Sequence, residues 1–300
     1  MEEHEKIKKI VSIHALFNKF DMSKKFGCLY IVSTPIGNLD DITLRAIETL
    51  HKVDICACED TRKSKILFNK YSIKTKLTSY HKFSEKSKND FFINKLKSGK
   101  DLDLICDAGT PLISDPGEYL VKSAIENEIK IIPIPGPTSV ISALSVSGFN
   151  LETFTFYGFF PRKEKERKMI LRKISLSKGP SVIFESGRRL EKLLDILLSE
   201  LDERCKILIA REMTKLHETL YRGNLANIKD LIIHSEYGLK GEFVIVVDSL
   251  DGVADKNLTY DDARVMDILM KKLDKKVAFE IGSEILQKKR NDLYKLKLDD

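Results

Sequence analysis

Apolar positions along this chain switch repeatedly between two periods. From Phe26 the run GCLYIVS (27–33) is continuously apolar and strand-like, and the turn-rich TPIGNLDD (34–41) breaks it. Leu44, Ile47 and Leu50, three apart, then predict a helix. The same alternation continues with strands at DICAC (54–58), TKLTSY (75–80), LDLIC (102–106) and KIIPIP (130–135). Helical patterns separate them: TRKSKILFNKY (61–71), a lysine-rich stretch ending at Lys97, and a segment holding Leu120, Val121 and Ile125. A further helix is predicted to start within PGPTSVISALSVSG (135–148), whose prolines lie at its entrance, where a missing N–H does no harm. Strands alternating with helices imply crossover connections and a mostly parallel sheet covered on both faces. This first unit is assigned to residues 26–149.

A second unit, 150–250, repeats the rhythm. Its predicted strands are TFTFYGFF (153–160), PSVIFES (180–186), CKILIARE (205–212), ETLYRG (218–223) and GEFVIVVDS (241–249). Its predicted helices are KEKERKMILRKI (163–174), a stripe of Leu190, Leu193, Leu194, Leu197 and Leu198, and NLANIKDLI (224–232). LDGVADKN (250–257) reads as a linker. Residues 257–300 read as a small helix-turn-helix-like appendage whose helical pattern breaks at Gly282. Residues 1–25 form an N-terminal extension with Ile7, Ile10, Val11, Phe17 and Phe20 at loose helical spacing, and Met22 is an alternative start.

At 300 residues the chain exceeds what one core usually serves, in keeping with two units. A composition 42% hydrophobic and 32% charged argues against a disordered or fibrous protein. No apolar run approaches the ~18 residues that cross a bilayer, so no membrane association is expected. The opening MEEHEKIKKI lacks the apolar core of a secretion signal. Five cysteines, an odd count mostly in strand-like stretches, read as reduced thiols of a cytoplasmic protein. The net charge of +6 suits an anionic partner without specifying one.

Several chemistries lack their sequence signatures. There is no G-x-G-x-x-G after the first strand, no G-x-x-x-x-G-K-[ST] and no G-x-S-x-G. Cys56-x-Cys58 has no second Cys/His pair nearby and reads as two buried thiols, and no metal site is expected. Chemistry is therefore expected in the loops after strands, where open α/β sheets bind ligands.

Three such loops are richer in turn residues than connectors require: Ser33–Asp40, Asp107–Gly117 and Pro135–Ser139. All three follow strands of the first unit and should converge on one edge of its sheet. Backbone N–H groups at the 135–139 helix entrance suit a carboxylate or phosphate, while Asp107 and Asp115 suit an ammonium or sulfonium. Taken singly, these residues are equally consistent with caps and turns. Together they fit a small zwitterion bearing an extra positive centre, such as S-adenosylmethionine.

The runs LYIVSTPIGNLDDITLRAIETL, ACEDTRKSKIL, CDAGTPLISDPGEYLVKSA, PIPGPTSVISALSVSG, GFFPRKEKER, ESGRRLEKLL, AREMTKLHE and KGEFVIVV, in this order, resemble the ribosomal RNA small-subunit methyltransferase I family of the tetrapyrrole-methylase superfamily. The resemblance covers about Gly27 to Asp248, and AFEIGSEILQKKRNDLYKLKL resembles that family's C-terminal helical domain. It implies two α/β domains of the precorrin methyltransferase-like type with cofactor in the interdomain cleft, plus a small C-terminal helical domain. It also implies S-adenosylmethionine-dependent 2′-O-methylation of a cytidine ribose in the decoding region of small-subunit (16S) ribosomal RNA. Free rRNA or the assembled small subunit is the implied partner, and a homodimer the usual state.

Carried over by motif, the cofactor site uses Pro35 and Gly37, then Asp107, Gly109, Thr110 and Ser114, then Gly136, Thr138 and Ser139. Phe184, Ala210, Arg211 and Glu242 are the contributors expected from the second domain. The chain departs from the family pattern at Gly187-Arg188, commonly Pro-His, and at Lys82-Phe83-Ser84, commonly Glu-His-Asn.

Deprotonating a ribose hydroxyl asks for a base or a neighbouring cation. The candidates are Glu59, Asp60 and Arg62, with Glu212, Lys215 and His217 in the second domain and His81 in addition; Glu59, Arg62 and Lys215 are taken as the catalytic set. For each the alternative is an ordinary ion pair. RNA contacts are expected at Arg162, Lys163 and Arg188, with Phe159, Phe160 or Phe83 available to stack a base. Glu164 and Glu166 between the basic residues equally describe a solvated helix face. Two rival readings keep the fold: a methylase acting on a tetrapyrrole precursor or a protein, and a non-catalytic RNA-binding ribosome-assembly factor.

Overall fold

The computed structural model describes residues 26–248 and 260–296. The predicted N-terminal helix, the alternative start at Met22 and the 250–257 linker lie outside them. The described residues divide into two compact units, one ending at Thr138 and the other beginning at Ser139.

The first unit is a five-stranded sheet ordered β3-β2-β4-β1-β5. Its strands are β1 (Leu29–Val32), β2 (Ile55–Cys58), β3 (Lys76–Ser79), β4 (Leu102–Ile105) and β5 (Ile131–Ile134). Every pairing is parallel. Between them run α1 (Leu44–Lys52), α2 (Thr61–Lys70), α3 (Glu85–Lys97) and α4 (Glu118–Glu126). Alternation along each strand decides which helices it meets. Leu29, Ile55, Ala57, Leu102 and Leu104 pack with Phe92 and Leu96 of α3 and Leu120 of α4. Val32, Cys56, Cys58 and Ile105 pack with Ala46 and Leu50 of α1 and with Leu67 and Phe68 of α2. All five cysteines are buried, unpaired thiols.

The second unit opens with α5 (Ser139–Ser145) and carries a mixed sheet ordered β6-β7-β10-β8-β9. Its strands are β6 (Thr155–Phe159), β7 (Ser181–Ser186), β8 (Lys206–Arg211), β9 (Thr219–Asn224) and β10 (Glu242–Val247). Only β6 and β7 pair in parallel; β10 is antiparallel to both β7 and β8. One face holds α6 (Glu164–Ser175), α7 (Gly187–Glu200) and α8 (Leu225–Ile233) against Ile183, Ile209 and Ile245. The other receives Val140, Ala143 and Leu144 of α5 against Val182, Leu208 and Val244.

Two expectations need correction. Leu198 is not part of the α7 stripe: it is 39% exposed, whereas Leu190, Leu193, Leu194 and Leu197 are buried. Gly282 does not break a helix either. It lies buried inside α10 (Lys275–Leu286), following α9 (Tyr260–Met270) and preceding α11 (Arg290–Leu293). A Cβ there would stand 2.2 Å from the Met266 sulfur, so the glycine allows α9 and α10 to approach closely. The interruptions fall instead at 271–274 and 287–289.

One residue contradicts the apolar pattern around it. Asp103 of β4 is fully buried, pairs in register with Tyr30 and Cys56, and neither carboxyl oxygen has a hydrogen-bond partner. Burial drives its carboxyl well above the ordinary value. Because the folded state then holds a proton that the unfolded chain releases above about pH 4, stability falls as pH rises through that region. Asp103→Asn should therefore match the wild type in urea unfolding near pH 4 and unfold at higher urea than the wild type at pH 8.

Candidate active site

Parallel strands send all their carboxyl ends to one edge, so the loops after β1 to β5 share a rim. The loops after β1 and β4 are sewn together. Thr34 and Gly109 exchange backbone hydrogen bonds in both directions at 2.9 Å. The Ser33 and Thr110 hydroxyls lie 2.9 Å apart, Thr110 Oγ1 donates to Pro137 O at 3.3 Å, and Thr34 Oγ1 donates to Cys106 O at 3.1 Å. The 135–138 loop is thereby joined to the other two. A Cβ on Gly136 would stand 2.9 Å from Ser33 Cβ, so this glycine serves loop-on-loop packing.

Pro35 is buried beneath this seam and Gly37 is exposed on it. Gly109 adopts φ +86°, and Leu112 and Ser114 adopt φ +73° and +72°. Such backbone is costly for residues with a Cβ, and it marks the 107–117 loop as held in shape by its surroundings. One anchor is Glu85, a buried carboxylate at the start of α3 that accepts the Gly117 N–H at 2.5 Å. Nothing in its lysine-rich neighbourhood marked it beforehand.

Asp107 ties in the loop after β2: it accepts the Asp60 N–H at 3.1 Å and pairs with Lys63 at 2.7 Å. Glu59 is half-buried beside it, and burial followed by the charge of Asp107 raises its carboxyl above the ordinary range. Asp115 is pushed up to about 6, first by burial, then by the charge of Glu59. Three carboxylates thus share one rim, where the charge of Asp107 raises Glu59 and that of Glu59 raises Asp115, an arrangement that a cation would relieve. Arg62 is committed elsewhere. Its exposed guanidinium holds Asp60, the N-cap of α2, at 2.7 Å, and that hydrogen bond draws the Asp60 carboxyl far below its usual value. Phe83 is 95% exposed at the tip after β3, its ring edge-on to His81 at 6.2 Å.

In the second unit, Ser139 is the first residue of α5, and Thr138 closes the first unit. Phe184 and Ala210 flank Val244 in register, Ala210 fully buried and Phe184 edge-on to Phe156 and Phe159. Arg211 is buried with its guanidinium donating to Lys240 O at 2.6 Å and His217 O at 2.9 Å, over the Tyr237 ring at 4.6 Å. Glu242 and Lys215 meet directly: the Lys215 ammonium lies 2.8 Å from Glu242 Oε2 and 3.2 Å from Glu212 Oε1. Partial burial lowers the Lys215 pKa, but these two carboxylates outweigh it and leave the ammonium above its ordinary value. Lys215 is therefore a fixed cation and not a base.

Arg162 and Arg188 line one groove with Ser186, Tyr237, Lys240 and Gly241. Lys163 pairs with Glu166 at 3.2 Å, and Lys168 with Glu164 at 3.4 Å, so the α6 face behaves as a solvated helix. Phe160 corrects an expectation: it is buried among Leu171, Ile174 and Leu193 and has no free face for a base, whereas Phe159 is 60% exposed. The sequence pattern overlooked Tyr237 and Lys240, which directly precede Gly238 and Gly241. No group of metal-ligating side chains occurs among the described residues.

The sequence matches the tetrapyrrole (corrin/porphyrin) methylases over residues 28–229. It is 40% identical to ribosomal RNA small subunit methyltransferase I of Buchnera aphidicola subsp. Schizaphis graminum, over 90% of this chain and 95% of that protein. The protein of the same name from Vibrio cholerae is also 40% identical, over 90% of this chain and 94% of its own length. Among solved structures, uroporphyrin-III C-methyltransferase from Thermus thermophilus complexed with S-adenosylhomocysteine superposes with a TM-score of 0.51 at 15% identity, over 73% of this chain and 97% of that one.

The influence of Glu59 on Asp115 is directly measurable. In carbon-detected NMR titrations the Asp115 carboxyl should titrate with a midpoint near 6, and Glu59→Gln should move that midpoint downward.

Proposed function

The chain belongs to the tetrapyrrole methylase family and, within it, to the ribosomal RNA small subunit methyltransferases I, and from that premise we propose how its rim carries out the reaction. The enzyme is an S-adenosylmethionine-dependent methyltransferase of small-subunit ribosomal RNA. The acceptor we assign is the 2′-hydroxyl of a cytidine ribose in the decoding region. The assembled small subunit or its free RNA is the substrate, and the enzyme works as a cytoplasmic homodimer. The described residues contain no helix long and apolar enough to cross a membrane.

One observation supports this reading above the others: three turn-rich loops are hydrogen-bonded into a single rim carrying Glu59, Asp107 and Asp115. That donor set fits a sulfonium zwitterion. The carboxylates supply counter-charge to the positive sulfur, and the strained 109–114 backbone presents its amide groups in fixed positions. Gly37, Gly109, Thr110, Ser114 and Asp115 are the rim residues assigned to hold it, with Pro35, Gly136 and Thr138 shaping the seam. From the second unit, Ser139, Phe184, Ala210 and Glu242 keep their assignment to the same ligand, while Arg211 acts through the loop it braces. When bound, the cofactor supplies an electrophilic methyl carbon.

The protein's share of the chemistry is alignment and proton removal. Glu59 would take the proton of the acceptor hydroxyl, leaving an oxygen able to receive the methyl group that the bound cofactor would supply. Its raised pKa suits a base that must accept a proton, and Lys63, held by Asp107, keeps positive charge close to the rim. Lys215 serves as a fixed cation of the second unit.

The test is transfer of labelled methyl from S-adenosylmethionine to small-subunit RNA, with the modified nucleoside identified by mass spectrometry after digestion. A 2′-O-methylcytidine is expected. Glu59→Gln should lower the transfer rate by about 10²-fold or more while cofactor affinity by calorimetry changes only a few-fold. An equally active Glu59→Gln enzyme removes the base assignment, and label on a different nucleoside removes the acceptor assignment.

A further inference from the structure

The groove between the start of α7 and the loop 235–241 has properties that the rim chemistry does not use. Four cations and two carboxylates, Glu191 and Glu236, line it; Arg189 is held by Glu185, whereas Arg162, Arg188 and Lys240 are exposed and not engaged through their side chains by another described residue. They differ in this from four other cations of the second unit. Lys163, Lys168, Arg189 and Lys229 all hold carboxylates, at 3.2, 3.4, 3.1 and 2.6 Å respectively. Cations left unneutralised along one concave surface are the electrostatic footprint of a polyanion.

The groove is also built rather than incidental. A Cβ on Gly187 would stand 1.9 Å from Leu239 O, so only glycine lets the loop lie directly on the first residue of α7. Gly187 N–H donates to Gly241 O at 2.9 Å, which fixes that approach. Arg211 braces the same loop from below, through its hydrogen bond to Lys240 O and its contact with Tyr237. Lys240 therefore projects from a rigid support.

Size argues for a polymer. The groove encloses about 1200 Å³, above the range of ordinary small-ligand pockets, and it is open along its length. We propose that Arg162, Arg188 and Lys240 clamp the phosphodiester backbone of the RNA substrate along this groove, with Arg211 as the positioning residue for Lys240. This rests on the RNA-methylation reading. It separates Arg162 and Arg188, which grip phosphates, from Lys163, which does not. It also gives the Gly187-Arg188 pair a purpose: the glycine admits the loop and the arginine adds a charge.

The experiment compares the wild type, Lys240→Ala, and an Arg162→Ala/Arg188→Ala/Lys240→Ala triple variant in filter binding to small-subunit RNA across a salt series. Lys100→Ala, at a lysine paired with Asp54 at the opposite end of β4, is the charge-matched control. The triple variant should raise the Kd for RNA in filter binding, and the KM in methyl transfer, by about 10- to 100-fold and lower the slope of log affinity against log salt by about 2, at ~0.7 per phosphate contact. Its kcat at saturating RNA and its calorimetric affinity for S-adenosylmethionine should stay within a few-fold of the wild type. Lys240→Ala should show about a third of the slope change, and Lys100→Ala none. Wild-type RNA affinity and salt slope in a triple variant that still binds S-adenosylmethionine overturn the clamp. A wild-type enzyme that neither binds nor methylates the RNA overturns the functional reading and the clamp with it.

Discussion

The reciprocal hydrogen bonds between Thr34 and Gly109 are the constraint on which the rest of the active rim depends. They extend the pairing of β1 and β4 by one bridge beyond the strands proper, so two loops leave the sheet as a single ribbon. The Ser33 and Thr110 hydroxyls then carry the connection to Pro137, and Gly136 is the only residue that lets the third loop come close enough to accept it. Each such bond is worth only about 1 kcal/mol net, but losing the Thr34–Gly109 pair would leave buried backbone groups unpaired. The acids of the rim inherit their positions from this seam: Asp107 lies two residues before Gly109, and Asp115 lies two residues before the Gly117 N–H that Glu85 holds.

Most of the architecture is legible in the residues. The parity of apolar positions predicts both sheets and assigns strand faces to helices, because burial on both sides demands continuous apolar runs flanked by helical stripes. The three loops are visible for the same reason, as turn residues in excess of what connection requires. Other features depend on partners far away in the chain and left no local trace. Glu85 looks like one charge in a lysine-rich helix until the fold brings Gly117 to it. Asp103 looks like a strand edge residue until Tyr30 and Cys56 close over it. Arg211 carries the marks of a ligand-binding arginine, yet its hydrogen bonds go to backbone carbonyls of its own unit. Gly282 reads as a breaker because spacing alone does not reveal that another helix packs against it.

Charge is distributed unevenly between the two units. The first rim concentrates carboxylates and neutralises its nearest arginine against a helix cap. In the second unit Lys163 and Lys168 hold glutamates of α6, while Arg162, Arg188 and Lys240 share a groove without such partners. The modest net charge of the whole chain conceals this division.

The strand order of the second sheet has a consequence for synthesis. β10, the last strand to leave the ribosome, occupies the middle of the sheet between β7 and β8. Until residues 242–247 emerge, those two neighbours present unpaired inner edges, and α5 and α7 lack one of the strands they pack on. The first unit has all five strands by Ile134 and can be finished while the rest is still being translated. A chain cut short before Glu242 therefore retains a complete first sheet joined to two open, adhesive edges, the form most prone to aggregate.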